Sequence, residues 1–142
     1  MAAEGTTTAP GVDWDRLRRA ALAATEHAYV PYSGFRVGAA ALTEDGRLVT
    51  GCNIENASYG LTLCAECALL ADLRMGGGGR LAAFVWVDGQ GVLTMPCGRC
   101  RQLLHEFRAP DMVLLTPAGE RTMGQVLPDA FGPEDLERAA AR

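Results

Sequence analysis

Four of the five cysteines fall into two short groups, Cys64-Ala65-Glu66-Cys67 and Cys97-Gly98-Arg99-Cys100. Paired thiols at this spacing suit a metal ion better than a disulfide in a reducing compartment. Zinc takes thiolate, imidazole or carboxylate ligands in a tetrahedron, and a catalytic zinc keeps one of the four positions for water. That water loses a proton far more readily than bulk water does. Glu66, two residues after Cys64, is a carboxylate that could take such a proton and hand it to a substrate. The reading that follows is a metal ion on Cys64, Cys97 and Cys100, with Glu66 as proton carrier. Two other readings stand beside it. Cys67 could be a fourth ligand, giving a closed structural site in a binding module without activity. Glu66 could be an ordinary solvated helix carboxylate.

Two helix starts at one edge of a sheet would bring three thiols together. Their partial positive charge would lower the thiol pKa values and offset the charge of three thiolates. Asp13 is a candidate cap for a first helix, with Trp14, Leu17, Ala21 and Ala24 or Ala28 on its apolar face, ending near Val30 because Pro31 follows. Phe35 to Leu42 reads as a buried strand. Asp45-Gly46 is a hairpin turn, and Arg47 to Gly51 returns antiparallel. After the polar stretch Asn53 to Gly60, Thr62 is a candidate cap for a helix through Cys64, Leu69, Leu70 and Leu73 that ends at Gly76 to Gly79. Leu81 to Val87 is a strand. Strand, helix and strand in this order form a βαβ unit, so the flanking strands should run parallel. Pro96 suits the first turn of the helix carrying Cys97, Cys100, Leu103, Leu104 and Phe107. Met112 to Leu115 is a short strand, and Thr122 with Gln125 a capping box. The expected organisation is a tail over 1–12, a layered α/β domain with a mixed sheet over 13–132, and a charged C-terminal tail over 133–142 that could form a frayed helix.

The chain has 142 residues, 49% of them of hydrophobic type, and a formal net charge of −4. That fits one small globular domain. All thirteen cationic side chains are Arg, without a basic run, which argues against binding long nucleic acid. The N-terminus lacks a basic start with an apolar core, and no apolar run reaches membrane-spanning length, so a cytoplasmic protein is expected.

Zinc deaminases of nucleobases carry a ligand-x-Glu followed by Pro-Cys-x-x-Cys. Here the corresponding residues are Cys64-Ala65-Glu66 and Pro96-Cys97-Gly98-Arg99-Cys100. The resemblance extends further, through Pro31-Tyr32-Ser33-Gly34-Phe35-Arg36-Val37-Gly38-Ala39-Ala40, Asn53-Ile54-Glu55-Asn56-Ala57-Ser58-Tyr59-Gly60-Leu61-Thr62-Leu63, and Met95 with Arg101-Gln102. From about Tyr29 to Phe131 the chain resembles the short, homotetrameric cytidine deaminases. That resemblance implies a three-layer α/β/α domain and one Zn²⁺ per chain on Cys64, Cys97 and Cys100, with Glu66 as the proton shuttle. It implies hydrolytic deamination of cytidine and 2′-deoxycytidine to uridine and 2′-deoxyuridine in pyrimidine salvage. It also implies ribose contacts from Asn53 and Glu55, packing of Phe35 on the nucleoside, a base contact from the Ala65 backbone, and Ala57 and Tyr59 near a subunit boundary. Phe131 would close a pocket, usually a neighbour's.

One residue departs from the family pattern. An Arg commonly follows the Cys-Ala-Glu triplet and donates to the zinc thiolates, whereas this chain has Cys67. A thiol is a weak donor, so weaker charge compensation is expected. Alternatives stay open at this level: another cytosine nucleoside such as blasticidin S as substrate, or the closed four-cysteine site, although the gap between the cysteine pairs exceeds the roughly 15–20 residues of a zinc ribbon. Cys52 reads as a small buried hydrophobe, His27 and His105 as structural or surface groups, and Phe131 equally as a simple anchor for the tail.

Overall fold

The computed structural model describes residues 11–142, so residues 1–10 of the expected tail lie outside the described part. Helix α1, Trp14–Ala24, starts as its sequence dictates, with the Asp13 side chain accepting from the Arg16 N–H at 3.0 Å. Such a cap is worth about 1 kcal/mol. Val12, just before it, already packs against the helix's own cluster. The helix does not run to Val30. It tightens into a 3₁₀ turn at Thr25–His27. There the Thr25 hydroxyl donates to Leu22 O, and the Arg36 guanidinium collects the carbonyls of Thr25, Glu26 and Ala28.

Strands β1, Val37–Thr43, and β2, Leu48–Cys52, form the expected hairpin around Asp45-Gly46, with Gly46 at φ 87°. Helix α2, Ala65–Met75, follows. Its cap is Cys64, not Thr62. Ile54 and Leu63 exchange two backbone hydrogen bonds of 2.9 Å, which hold the chain extended through residue 63 and delay the helix. Just past its C-terminus Arg47 donates from its guanidinium to the carbonyl of the cap residue Gly76 and to Gly78 O. This favours the cation by the helix dipole as well as by hydrogen bonding. Strand β3, Leu81–Asp88, leads through a loop to helix α3, Gly98–Phe107. Cys97 caps α3 in extended geometry, so Pro96 lies just before the helix instead of in its first turn. Strand β4, Arg108–Thr116, starts as α3 ends and is longer than its apolar stretch suggested. Strand β5, Gly119–Thr122, was not expected. The Thr122–Gln125 capping box opens helix α4, Met123–Val126, as read from sequence. Helix α5 spans Pro133–Ala140 and buries nothing.

The sheet order is β2-β1-β3-β4-β5, with only β3 and β4 parallel as neighbours. Strands β2 and β3 do run in the same direction, as the βαβ reading requires, but β1 lies between them and is antiparallel to both. Helix α1 covers one face over Ala40, Ala83, Val85 and Val87. Helices α2, α3 and α4 cover the other over Ala39, Ala41, Phe84 and Leu114. The protein is thus a three-layer α/β/α domain with a mixed sheet. Leu69 and Leu73 of α2 are fully buried, each contributing about 1.5–3 kcal/mol. Gly51 makes close docking of α2 possible, because a Cβ there would lie 2.2 Å from Ala65 O and 2.4 Å from Leu69 N.

Candidate active site

Helix α2 ends where the chain turns into β3, and α3 ends where it turns into β4. Since β3 and β4 are parallel, the starts of both helices lie at one edge of the sheet, beyond the C-terminal end of β3. This brings Cys64, the cap of α2, to Cys97, the cap of α3, and to Cys100 in the first turn of α3. The three Sγ atoms all lie within 4.8 Å of one another. Cys67 does not join this cluster, so the closed four-cysteine site is not formed. The pre-helical loop is pinned by Arg101, which donates from Nε to Pro96 O at 2.9 Å and from its guanidinium to Val126 O at 3.0 Å.

Burial pushes the thiols of Cys64 and Cys100 up, and the nearby Glu66 charge adds to the rise at both. Cys97 behaves differently: burial works the same way, but the Cys100 backbone N–H and the two neighbouring thiols outweigh it and hold Cys97 low. Three soft donors within 4.8 Å of one another, two of them reluctant to ionise alone, fit a thiophilic divalent cation such as zinc.

Glu66 is 1% exposed, and neither carboxylate oxygen has a hydrogen-bond partner in the chain. Buried polar groups normally find partners. An orphaned carboxylate two residues from a candidate ligand is therefore placed to meet a proton donor that is not part of the chain. Burial pushes its carboxyl up.

Arg99 lies between the two α3 ligands in sequence and was not singled out there. Its guanidinium interacts first with Cys67 and also with Cys64 and Cys100, and their charge holds its pKa up. An exposed cation on α3 thus lies within electrostatic reach of these thiols, beside the Cys67 that departs from the family pattern. The signal was present in Cys97-Gly98-Arg99-Cys100, but that Cys67 receives the guanidinium depends on α2 and α3 meeting.

The remaining predicted residues surround this corner unevenly. Asn53 is buried and structurally employed: its Oδ1 accepts from Val37 N at 2.9 Å, and its Nδ2 donates to Phe35 O at 2.8 Å, leaving one amide hydrogen. Glu55 accepts two backbone N–H groups, from Tyr32 and Ser33, on one oxygen. It lines a 290 Å³ cleft with Tyr32, Ser33, Tyr59 and Thr62. Its carboxyl is held low, chiefly by the Ser33 side chain. Ala65 is fully buried at the start of α2, and Ala57 is exposed. Phe35, Tyr59 and Phe131 are 53%, 75% and 58% exposed. Phe131 is therefore no core anchor, although Gln102 holds its carbonyl at 2.9 Å. Cys52 and His105 are half-buried and His27 exposed, and none of them belongs to the thiol cluster. No helix among the described residues is long and apolar enough to cross a membrane.

The sequence profile of the cytidine and deoxycytidylate deaminase zinc-binding region matches residues 13–116. A cytidine deaminase from Mycobacterium tuberculosis is 58% identical over 129 residues, covering 91% of this chain and 97% of the relative. A crystal structure of cytidine deaminase from that organism superposes with a TM-score of 0.82 at 59% identity, over 85% of this chain and 98% of that one. The Mycobacterium leprae cytidine deaminase structure gives 0.81 at 56% identity, over 83% and 99%. The profile spans the thiol corner itself, Cys64, Glu66, Cys97 and Cys100 included, and so the chain is a member of the cytidine and deoxycytidylate deaminase zinc-binding family.

Proposed function

We propose that the protein deaminates cytidine and 2′-deoxycytidine to the corresponding uridines with one zinc ion on Cys64, Cys97 and Cys100. The observation that carries this is the partnerless, buried Glu66 carboxylate beside three converging thiols. Zinc held there would supply a Lewis-acidic centre that makes a water nucleophilic near neutral pH. The base packs against Phe35 and meets the backbone of Ala65. Glu66 takes one proton from the attacking water and delivers it to the ring nitrogen N3; it then takes the second proton, from the hydroxyl so formed on C4, and passes it to the leaving amine as the C4–N bond breaks. Ammonia departs and a carbonyl remains at C4. Asn53, with its spare amide hydrogen, and Glu55 grip the ribose. The acidic net charge favours a free nucleoside over a polynucleotide.

The assembly we propose is a homotetramer in the cytoplasm. What supports it is exposed apolar side chains, Tyr29, Ile54 and Leu63 on paired backbone and Tyr32 against Tyr59, since an exposed apolar patch marks an interaction surface. Phe131, exposed on its own subunit, closes the pocket of a neighbour, and Ala57 and Tyr59 lie at the boundary. The direct test is the fall in ultraviolet absorbance as cytidine is consumed. Turnover should stop with a zinc chelator and return with added zinc. Absence of turnover in zinc-loaded protein would refute the function.

A further inference from the structure

Resting on the deaminase reading, we propose that Trp86 is a wall of the nucleoside pocket whose indole N–H donates to the carbonyl oxygen of the bound pyrimidine. Trp86 lies near the C-terminal end of β3, the end at which the thiol cluster and Glu66 are assembled. Along that strand Leu81, Phe84 and Trp86 belong to the α2–α3 side, and Ala83, Val85 and Val87 to the α1 side. Its register partner on β1 is Ala39, too small to fill the space, so the indole extends over the strand. It meets Phe35, with ring centroids 6.4 Å apart and planes at 40°. Phe35 is the ring against which the base packs, so Trp86 stands beside the ligand's place.

The indole N–H marks its use. Among the described residues, the buried side-chain polar atoms without a partner are the two oxygens of Glu66 and Nε1 of Trp86. A buried tryptophan N–H usually finds an acceptor. Trp14 shows this, donating from Nε1 to Glu120 at 2.5 Å. If β3 needed only volume at position 86, a phenylalanine would fill it without an orphaned donor. All three orphans lie at one edge and on one face of the sheet, and they are complementary to one ligand. The Glu66 carboxylate needs a proton donor, and the indole needs an acceptor. The pyrimidine carbonyl is an acceptor that the reaction at C4 leaves unchanged. A bond to it is therefore equally strong in substrate, transition state and product, and it should govern KM more than kcat.

Two measurements test this. Trp86→Phe keeps a ring and removes the donor. It should raise KM for cytidine about 3- to 10-fold, the range expected for one hydrogen bond, with kcat and zinc content unchanged. An unchanged KM, or a fall in kcat accompanied by zinc loss, would overturn the proposal. Trp14→Phe leaves Trp86 as the sole tryptophan, and its emission should shift as uridine, which cannot turn over, saturates the site. Emission unaffected by saturating uridine would overturn it equally. Wild-type protein assayed alongside separates the two readings: without cytidine turnover the deaminase reading fails, whereas the titration reports on Trp86 alone.

Discussion

The thiol corner and the aromatic rim are built on opposite principles. In the corner Glu66 is 1% exposed, Cys100 is fully buried and Cys64 half-buried, with only Cys97 exposed, and two helix starts are fixed by strands on one sheet. At the rim Phe35, Tyr59 and Phe131 each leave more than half their surface open, at 53%, 75% and 58%. The corner is complete within one chain, whereas the rim offers apolar surface that one chain does not cover. Metal chemistry requires ligands held to a fraction of an ångström, and a sheet edge can do that alone. Enclosing a nucleoside requires walls on several sides, and this small domain supplies only some of them. The contrast predicts that changes in the corner abolish turnover, while changes at the rim weaken substrate binding.

The largest effect belongs to Glu66. Glu66→Gln should lower kcat by about 10³-fold or more while zinc content, read by atomic absorption, stays near one per chain. Near-normal turnover would remove Glu66 from the chemistry. Next comes Arg99, which lies within electrostatic reach of Cys67, Cys64 and Cys100 and is predicted to offset the charge of the zinc thiolates. Arg99→Ala should weaken zinc about 10-fold or more in a chelator competition, a loss typical of groups that support metal ligands. Equal affinity would show that the helix starts compensate the thiolates unaided. The smallest effect is expected at the rim. Phe131→Ala should raise KM about 10-fold with kcat and zinc content retained. If the chain assembles as the tetramer proposed above, mixing it with an inactive Glu66→Gln protein should restore normal KM to a fraction of the pockets. If mixing restores nothing, Phe131 serves its own subunit or none.

What the sequence disclosed were the features whose partners lie nearby in the chain. Asp13 caps Arg16 and Thr122 pairs with Gln125 across a single turn. Asp45-Gly46 closes its own hairpin. The three cysteines and Glu66 were legible because the chemistry demands those types at those spacings. Thr62 failed as a cap because the distant Ile54 keeps Leu63 extended. Strand β5 escaped notice because Gly119–Thr122 is polar and short, and it gains strand structure only by pairing with β4. Arg99, Trp86 and Gly51 derive their meaning from contacts between elements far apart in sequence. Gly51, for example, is needed because the backbone of Ala65 would lie 2.2 Å from any Cβ there. No local pattern encodes such contacts.

The most direct test of the three-thiolate site is X-ray absorption at the zinc edge of the purified protein. Three sulfurs at about 2.3 Å and one oxygen at about 2.0 Å are predicted, with the oxygen contribution changing when a nucleoside binds. A fit requiring four sulfurs, with Cys67 joining the cluster, would contradict it.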